Sequence, residues 1–317
     1  MCTLPCPITF NKTLETMPID YSRPVPRVKA EDLTRERFEQ EFLLPNRPVV
    51  IEGLLKGSAA YHKWSMDFFR KEMGELQVGI FDDIPGKEDR SFKSPDLHMK
   101  FGEYLDLIER EPTNKRIFLF NLFKHRPELK KDVVFPDIVK NWNKNFRFTF
   151  FGGKDSVVRI HQDMDMANVF LTQFHGAKRV ILFDPSYSDL LYRYPFGVHS
   201  SVDVEHPDYE TYPGLHHVKG YETEINNGDT LFIPSGYWHH IVYLEGGFAM
   251  ALRSWSPHTQ RYLRGLLNVG LITHLDEALR YLFGKRWFAW KKAETFRRAN
   301  RAIQKSPPRK QEELATA

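Results

Sequence analysis

The sequence predicts a mainly β, α+β fold. A barrel of short strands is expected over about 116–256, with helices packed on it from the N-terminal third and a helical extension over 257–305. Three observations predict it. Between 116 and 255, short aromatic and β-branched runs alternate with turn residues. Before them, three stretches carry apolar residues at helical spacing. After Pro257 a leucine rhythm of three and four residues sets in.

Residues 1–29 hold Pro5, Pro7, Pro18, Pro24 and Pro26 and read as an extended lead-in to a main domain over 30–256. Leu33, Phe38, Phe42 and Leu44 suit a short helix over 33–44. A second helix is expected over 65–73, just after Trp64. A third fits 101–109, where Phe101, Tyr104, Leu105 and Ile108 keep the helical period. Strand-like runs follow at 116–120, 146–151, 157–160, 168–174, 180–183, 230–233 and 248–255. In the last of these, Ala249, Ala251, Arg253 and Trp255 share one face. They give the barrel interior two small residues, a cation and a ring, which suits a ligand better than a dry core. Leu263, Leu266, Leu267, Leu271, Leu275, Leu279 and Leu282 carry a helix to about 283, and a basic helix is expected over 287–303. Residues 306–317 read as a flexible tail.

With 317 residues, 41% of them hydrophobic, and 25 Phe, 13 Tyr and 6 Trp, the chain can bury a substantial core. No apolar run approaches the roughly 18–20 residues of a membrane span. The first ten residues lack the charged and apolar regions of a signal peptide. Cys2 and Cys6, the only cysteines, lie in the lead-in; they read as incidental thiols, and a core without a disulfide fits a reducing cytoplasm. From Thr259 onward 13 Lys and Arg face 5 Asp and Glu, although the whole chain carries only +4. This basic end suits either a solvated helix face or contact with nucleic acid or an acidic partner. No internal repeat, dinucleotide or phosphate loop, zinc ribbon or nucleophile elbow is present.

The chemistry-bearing pattern is Ile160-His161-Gln162-Asp163, followed 78 positions later by His239 within Tyr237-Trp238-His239-His240. Two imidazoles and a carboxylate are the set that holds non-haem Fe(II) on one face and leaves the other face open. Positions two apart on a strand project to the same side, so His161 and Asp163 converge. Taken singly, each residue also fits a surface pair or a satisfied core histidine. Zn²⁺ accepts the same ligand set.

From about 145 to 255 the chain resembles the JmjC/cupin-like Fe(II) and 2-oxoglutarate oxygenases, most of all the branch containing the asparaginyl hydroxylase that acts on hypoxia-inducible factor. The shared stretches are Gly176-Ala177-Lys178-Arg179-Val180-Ile181-Leu182-Phe183, His206-Pro207-Asp208-Tyr209-Glu210, Gly220-Tyr221-Glu222-Thr223, Gly228-Asp229-Thr230-Leu231-Phe232-Ile233-Pro234 and Trp238-His239-His240-Ile241. Upstream, Arg47-Pro48-Val49-Val50-Ile51-Glu52-Gly53 resembles the strand that opens these domains. The resemblance implies a double-stranded β-helix (jelly-roll/cupin) barrel. It implies that His161, Asp163 and His239 hold Fe(II) and that Lys178 pairs with the distal carboxylate of 2-oxoglutarate. Asn168 and Trp255 match site-lining positions, and His240 falls on a non-ligand position. It further implies O₂ as cosubstrate, a hydroxylation of a protein side chain, tRNA base or small molecule, and a homodimer through the C-terminal helices.

Three departures bear on cosubstrate binding. The segment between His161 and Lys178 is about two residues longer than in the hypoxia enzyme, which blurs the match of Asn168 to a family asparagine. Val158 stands where the family has a Thr hydroxyl, and Arg253 where Asn is common. An inward Arg253 suits either a carboxylate of 2-oxoglutarate or substrate, or a structural Asp or Glu. The alternative to an enzyme is a cupin-like barrel that binds a metal or ligand without catalysis. The intact triad with Lys178 argues against it.

Overall fold

The computed structural model describes residues 19–82 and 95–306; Cys2 and Cys6 lie outside the described residues. Fourteen strands are described: β1 (Asp20–Pro24), β2 (Arg27–Lys29), β3 (Val49–Glu52), β4 (Gln77–Ile80), β5 (Leu97–Lys100), β6 (Arg116–Phe120), β7 (Trp142–Gly152), β8 (Val157–His161), β9 (Asn168–His175), β10 (Lys178–Phe183), β11 (Lys219–Ile225), β12 (Asp229–Ile233), β13 (Trp238–Tyr243) and β14 (Gly247–Ser254). Five form one sheet, in the order β1-β11-β10-β13-β8. Seven form a second, in the order β2-β3-β12-β9-β14-β7-β6. The two sheets make a jelly-roll sandwich rather than the closed barrel expected. β8 follows β7 through a short turn but pairs with β13 of the opposite sheet, so the hydrogen-bonded ladder breaks there instead of closing.

Side-chain alternation sorts the strands into layers. Val169, Leu171, Leu231, Ala249 and Ala251 of the large sheet meet Val180, Leu182 and Ile241 of the small one between the sheets. Their neighbours Phe170, Phe174, Phe232, Phe248 and Met250 point the other way, into a second core beneath the N-terminal helices. Both faces of β9 and β14 are therefore covered, which is why those strands are buried along nearly their whole length. The outer face of the small sheet is covered in turn by the 184–218 segment and the last helix, around Phe183, Tyr192 and Trp238.

The N-terminal helices are α1 (Arg35–Phe38, continued by a π turn over Glu39–Leu43), α2 (Ala59–Lys63), α3 (Met66–Met73), α4 (Phe101–Arg110) and α5 (Leu122–His125). Thr34, Ser58 and Ser65 cap the first three by accepting a backbone N–H three residues on. Phe69 of α3 sits edge-on to Phe151 and Phe248, which locks this layer to the large sheet. After the sandwich come α6 (Thr259–Leu267), a π turn (Asn268–Ile272), α7 (Thr273–Phe283) and α8 (Lys285–Lys305). No helix among the described residues is long and apolar enough to cross a membrane.

β1, β2, β4, β5, β11 and β13 escaped the sequence reading. β11 alternates buried and half-buried or exposed positions and is rich in Lys, Glu and Thr, so its apolar signal is weak. β1 and β2 lie in the Pro-rich lead-in yet pair in parallel with β11 and β3. Proline costs little at such edge positions, where one side of the strand donates no ladder bonds.

Candidate metal centre

β8 and β13 run antiparallel and place His161 directly opposite His239, with ring centroids 4.1 Å apart. β8 ends at His161, so Asp163 belongs to the loop beyond it and not to the strand. That loop is held by Gln162, whose backbone N–H donates to the Val198 carbonyl at 2.8 Å and whose amide donates to the Gly236 carbonyl at 2.5 Å. Met166 then turns the chain at φ 51°, a conformation costly for a non-glycine residue. The outcome is that one donor atom from each of His161, Asp163 and His239 lies within 4.8 Å of the others.

Hydrogen bonding fixes which atoms face the centre. Nδ1 of His161 lies 2.9 Å from the Arg159 carbonyl, and Nδ1 of His239 lies 3.2 Å from the Tyr237 carbonyl. A carbonyl only accepts, so both Nδ1 atoms carry the proton and both Nε2 atoms keep a lone pair. Burial pushes both imidazoles below their ordinary pKa, with Asp163 opposing the effect in each. Both rings are neutral near pH 7, the form that ligates metal. Burial alone would raise the Asp163 pKa, but Arg253 and the two imidazoles hold it below the usual carboxylate range. Two neutral imidazoles and one carboxylate fit a divalent first-row metal with coordination positions to spare.

Arg253 extends from β14 and is 7% exposed. Its Nη2 is 3.1 Å from Asp163 Oδ1 and its Nη1 is 2.6 Å from Asp165 Oδ1. Of the two readings left open for this guanidinium, the structure displays the acid pairing. Its Nε is buried without a hydrogen-bond partner. Asp165 was missed in the sequence, although it is the next acid in His161-Gln162-Asp163-Met164-Asp165. His199 was also missed; it forms a β-bridge with His161 and its ring stacks 5.9 Å away. Nothing in its local sequence marks it.

Lys178 opens β10 and is 1% exposed. The register sets Lys178 opposite Tyr243 and Leu182 opposite His239, so all four project between the sheets. Lys178 Nζ lies 4.3 Å from the centre of the Tyr243 ring, and among the described residues it forms no ion pair. Burial pushes this ammonium down to about 7. An enclosed cation without a carboxylate is costly, and it fits the distal carboxylate of an enclosed dicarboxylate. Val158 packs against the inter-sheet core, so the side where the family carries a hydroxyl is apolar here.

Asn168 and Trp255 are tied to each other at the end of the sandwich. The Asn168 amide donates to Ser254 Oγ and to the Trp255 carbonyl, and its oxygen accepts from the Ser235 N–H. Trp255 lies past the last residue of β14, and its ring meets Tyr262 of α6 edge-on. His240 points to the opposite face from His239, its Nε2 3.2 Å from Glu205 Oε1, as strand alternation demands.

A family model described as a cupin-like domain matches residues 35–261. Lysine-specific demethylase 8 of Danio rerio is 29% identical over 245 residues, covering 73% of this chain and 58% of that protein. The tRNA wybutosine-synthesizing protein 5 of Homo sapiens is 28% identical over 246 residues, covering 71% of this chain and 75% of that protein. JmjC domain-containing protein D of Dictyostelium discoideum is 28% identical over 238 residues, 67% of this chain and 52% of that protein. The matched stretch thus spans about half to three quarters of the length of these relatives. The family match extends over more than half of the chain and encloses the triad, so this chain belongs to the cupin-like domain family, in the JmjC branch of Fe(II) and 2-oxoglutarate oxygenases.

Proposed function

We propose that the chain is an Fe(II)- and 2-oxoglutarate-dependent hydroxylase in which His161, Asp163 and His239 hold the metal and Lys178 holds the cosubstrate. One observation carries the reading: the two histidines of the triad and a buried, acid-free ammonium share the inner face of a single sheet, with Asp163 on the loop that follows β8. Lys178 and the residue opposite His239 are four positions apart on β10, roughly 13 Å at the usual strand rise. With the Lys178 side chain reaching into that span, what remains suits a small dicarboxylate laid along the strand, one end toward the triad and the other on Lys178.

Bound Fe(II) with 2-oxoglutarate and O₂ supplies oxidative decarboxylation to succinate and CO₂, coupled to hydroxylation of a substrate C–H bond. The chain's own part is to bind, orient and keep dry. His161 and His239 offer fixed lone pairs through Nε2, and Arg253 steers the Asp163 carboxylate. The apolar layer around Val180, Leu182 and Ile241 limits water access between triad and lysine. Asn168 and Trp255 frame the mouth, bracing the ends of β9, β12 and β14.

The names of relatives speak of lysine demethylation and of tRNA wybutosine synthesis. A protein side chain, a tRNA base or a small molecule is accordingly the range for the primary substrate. Two copies are expected to pair through α6 and α7, whose Leu263, Leu267, Leu271 and Leu282 are each more than half exposed. A reducing compartment such as the cytoplasm suits a chain with only two cysteines and keeps the metal ferrous.

The test is succinate formation from 2-oxoglutarate by the full chain, with and without Fe(II). Turnover that requires Fe(II) and is abolished by Asp163→Ala, together with loss of bound metal, supports the reading. Metal binding without succinate would leave the non-catalytic cupin-like alternative, and full activity in Asp163→Ala would remove the ligand assignment.

A further inference from the structure

Beside the triad lies a groove of about 240 Å³ whose wall is shared with the metal-binding loop. Met164, between Asp163 and Asp165, lines it, as does Val198, whose carbonyl holds the Gln162 N–H. The opposite wall comes from the π turn after α6 and from α8. Asn268 Nδ2 donates to the Met164 carbonyl at 3.1 Å, so groove and ligand loop are mechanically joined.

The groove gathers positive charge that the protein leaves largely uncompensated. Arg193 and Arg298 line it. Arg264 of α6 is near enough to Arg193 for the two like charges to interact, as do Arg298 and Arg193. Arg193 is half-buried, its Nε is enclosed without a hydrogen-bond partner, and among the described residues it forms no ion pair. Asp189 is the acid that acts on it, through space only. Arg298 uses its Nε on Glu294 at 3.0 Å, and Glu294 is already shared with Arg297. Burial and the two neighbouring guanidiniums push the Arg193 pKa down to about 10, with Asp189 opposing them. Three guanidinium groups converge here with Glu294 the one carboxylate bonded to them among the described residues, an excess of donors that matches tetrahedral oxyanions.

The rim of the groove decides what carries the anion. Phe196, on the same wall, has its ring centroid 5.4 Å from Trp287 and 6.3 Å from Trp290. Trp287 and Trp290 are themselves parallel, 4.7 Å apart, and Trp290 is 43% exposed. Flat aromatic faces beside an arginine groove are the pairing that binds unstacked bases next to a phosphate backbone. An acidic peptide needs the cations but has no use for the rings.

We infer that this groove is a phosphate subsite for the primary substrate, and that the substrate is a single-stranded nucleic-acid segment whose backbone crosses Arg193, Arg264 and Arg298 on its way to the metal centre. The inference rests on the oxygenase reading only for taking the triad as the reacting centre.

The test uses the full chain and a labelled single-stranded RNA of about 12 nucleotides, within the usual site sizes for such strands. Binding is followed by anisotropy without added metal, across a salt series. The expected result is salt-dependent binding that weakens at least about tenfold in Arg264→Gln/Arg298→Gln. The slope of log affinity against log salt should become shallower by about 1.4, two phosphate contacts at about 0.7 each. Trp290→Ala should weaken binding without changing that slope. A thermal melt of each variant shows that it is folded. Unchanged affinity in the folded double variant, or polyglutamate displacing the RNA more effectively than inorganic phosphate or unlabelled RNA does, would overturn the inference. Because binding is read without metal, RNA capture by a protein that makes no succinate would overturn the oxygenase reading and leave the subsite standing.

Discussion

Arg253 holds Asp163, the sole carboxylate of the triad, by a 3.1 Å contact from Nη2, and braces Asp165 at 2.6 Å with Nη1 of the same guanidinium. The two acids flank Met164 in the loop that follows β8, and the arginine comes from the C-terminal end of β14. One Asp163 oxygen is thus spoken for, and the carboxylate is turned before any metal arrives.

Arg253→Met should therefore act on the loop first. Two acids near the centre lose their cation, and breaking a buried pair of this kind costs about 3–5 kcal/mol. A lower melting temperature and weaker metal retention by equilibrium dialysis are expected, with less than about a threefold change in the apparent Michaelis constant for 2-oxoglutarate. A rise of tenfold or more in that constant, with metal retention intact, would instead place the guanidinium on the cosubstrate, a loss of about 1.4 kcal/mol.

Lys178 gives a pH-dependent signature. Its folded pKa, about 7, lies below the unfolded value of 10.5, so the unfolded chain binds more protons between these limits. Stability from this group therefore rises as pH climbs from about 7 to about 10, and the burial penalty is fully present below about 7. Lys178→Met should melt higher than the wild type near pH 6, with the difference closing toward pH 10. The same variant should need about 10- to 100-fold more 2-oxoglutarate, the loss of a charge-assisted contact of about 1.5–3 kcal/mol. A variant less stable than wild type near pH 6 would contradict the uncompensated ammonium.

Gly265 of α6 lies flat against the Asp165 backbone, and a Cβ there would overlap the Asp165 carbonyl oxygen. Backbone cannot give way as a flexible side chain can. Gly265→Ala should lift α6 from the metal loop and destabilise the protein by about 1–3 kcal/mol. Calorimetry and metal stoichiometry together check this. A wild-type melting temperature would mean that the helix tolerates displacement.

Leu263, Leu267 and Leu271 repeat at helical spacing on the solvent side of α6 and the π turn, and all are about half exposed or more. Leu267→Glu places a charge in the middle of that stripe. Light scattering should show a dimer for the wild type at micromolar concentration and a monomer for the variant. A monomeric wild type would remove the dimer proposal.

Local signals in the sequence were enough for the helices over α3, α4 and α8 and for half of the described strands, because amphipathic period and apolar runs are short-range consequences of burial. The His161 and Asp163 spacing and the Trp238-His239 context likewise announced a metal set before any fold was known. What the sequence could not express is which distant segments meet. The pairing of β8 with β13 closes the 78-residue gap between His161 and His239, and it depends on β11 and β13, whose own patterns are weak. Arg253 was legible as an inward cation, yet its choice of Asp163 and Asp165 came only from the loop that Gln162 and Gly265 pin in place. The sequence by itself determined the residue chemistry and the local period. Tertiary structure decided the partners, because strand register and close backbone approach are properties of the assembled sandwich and of no single segment.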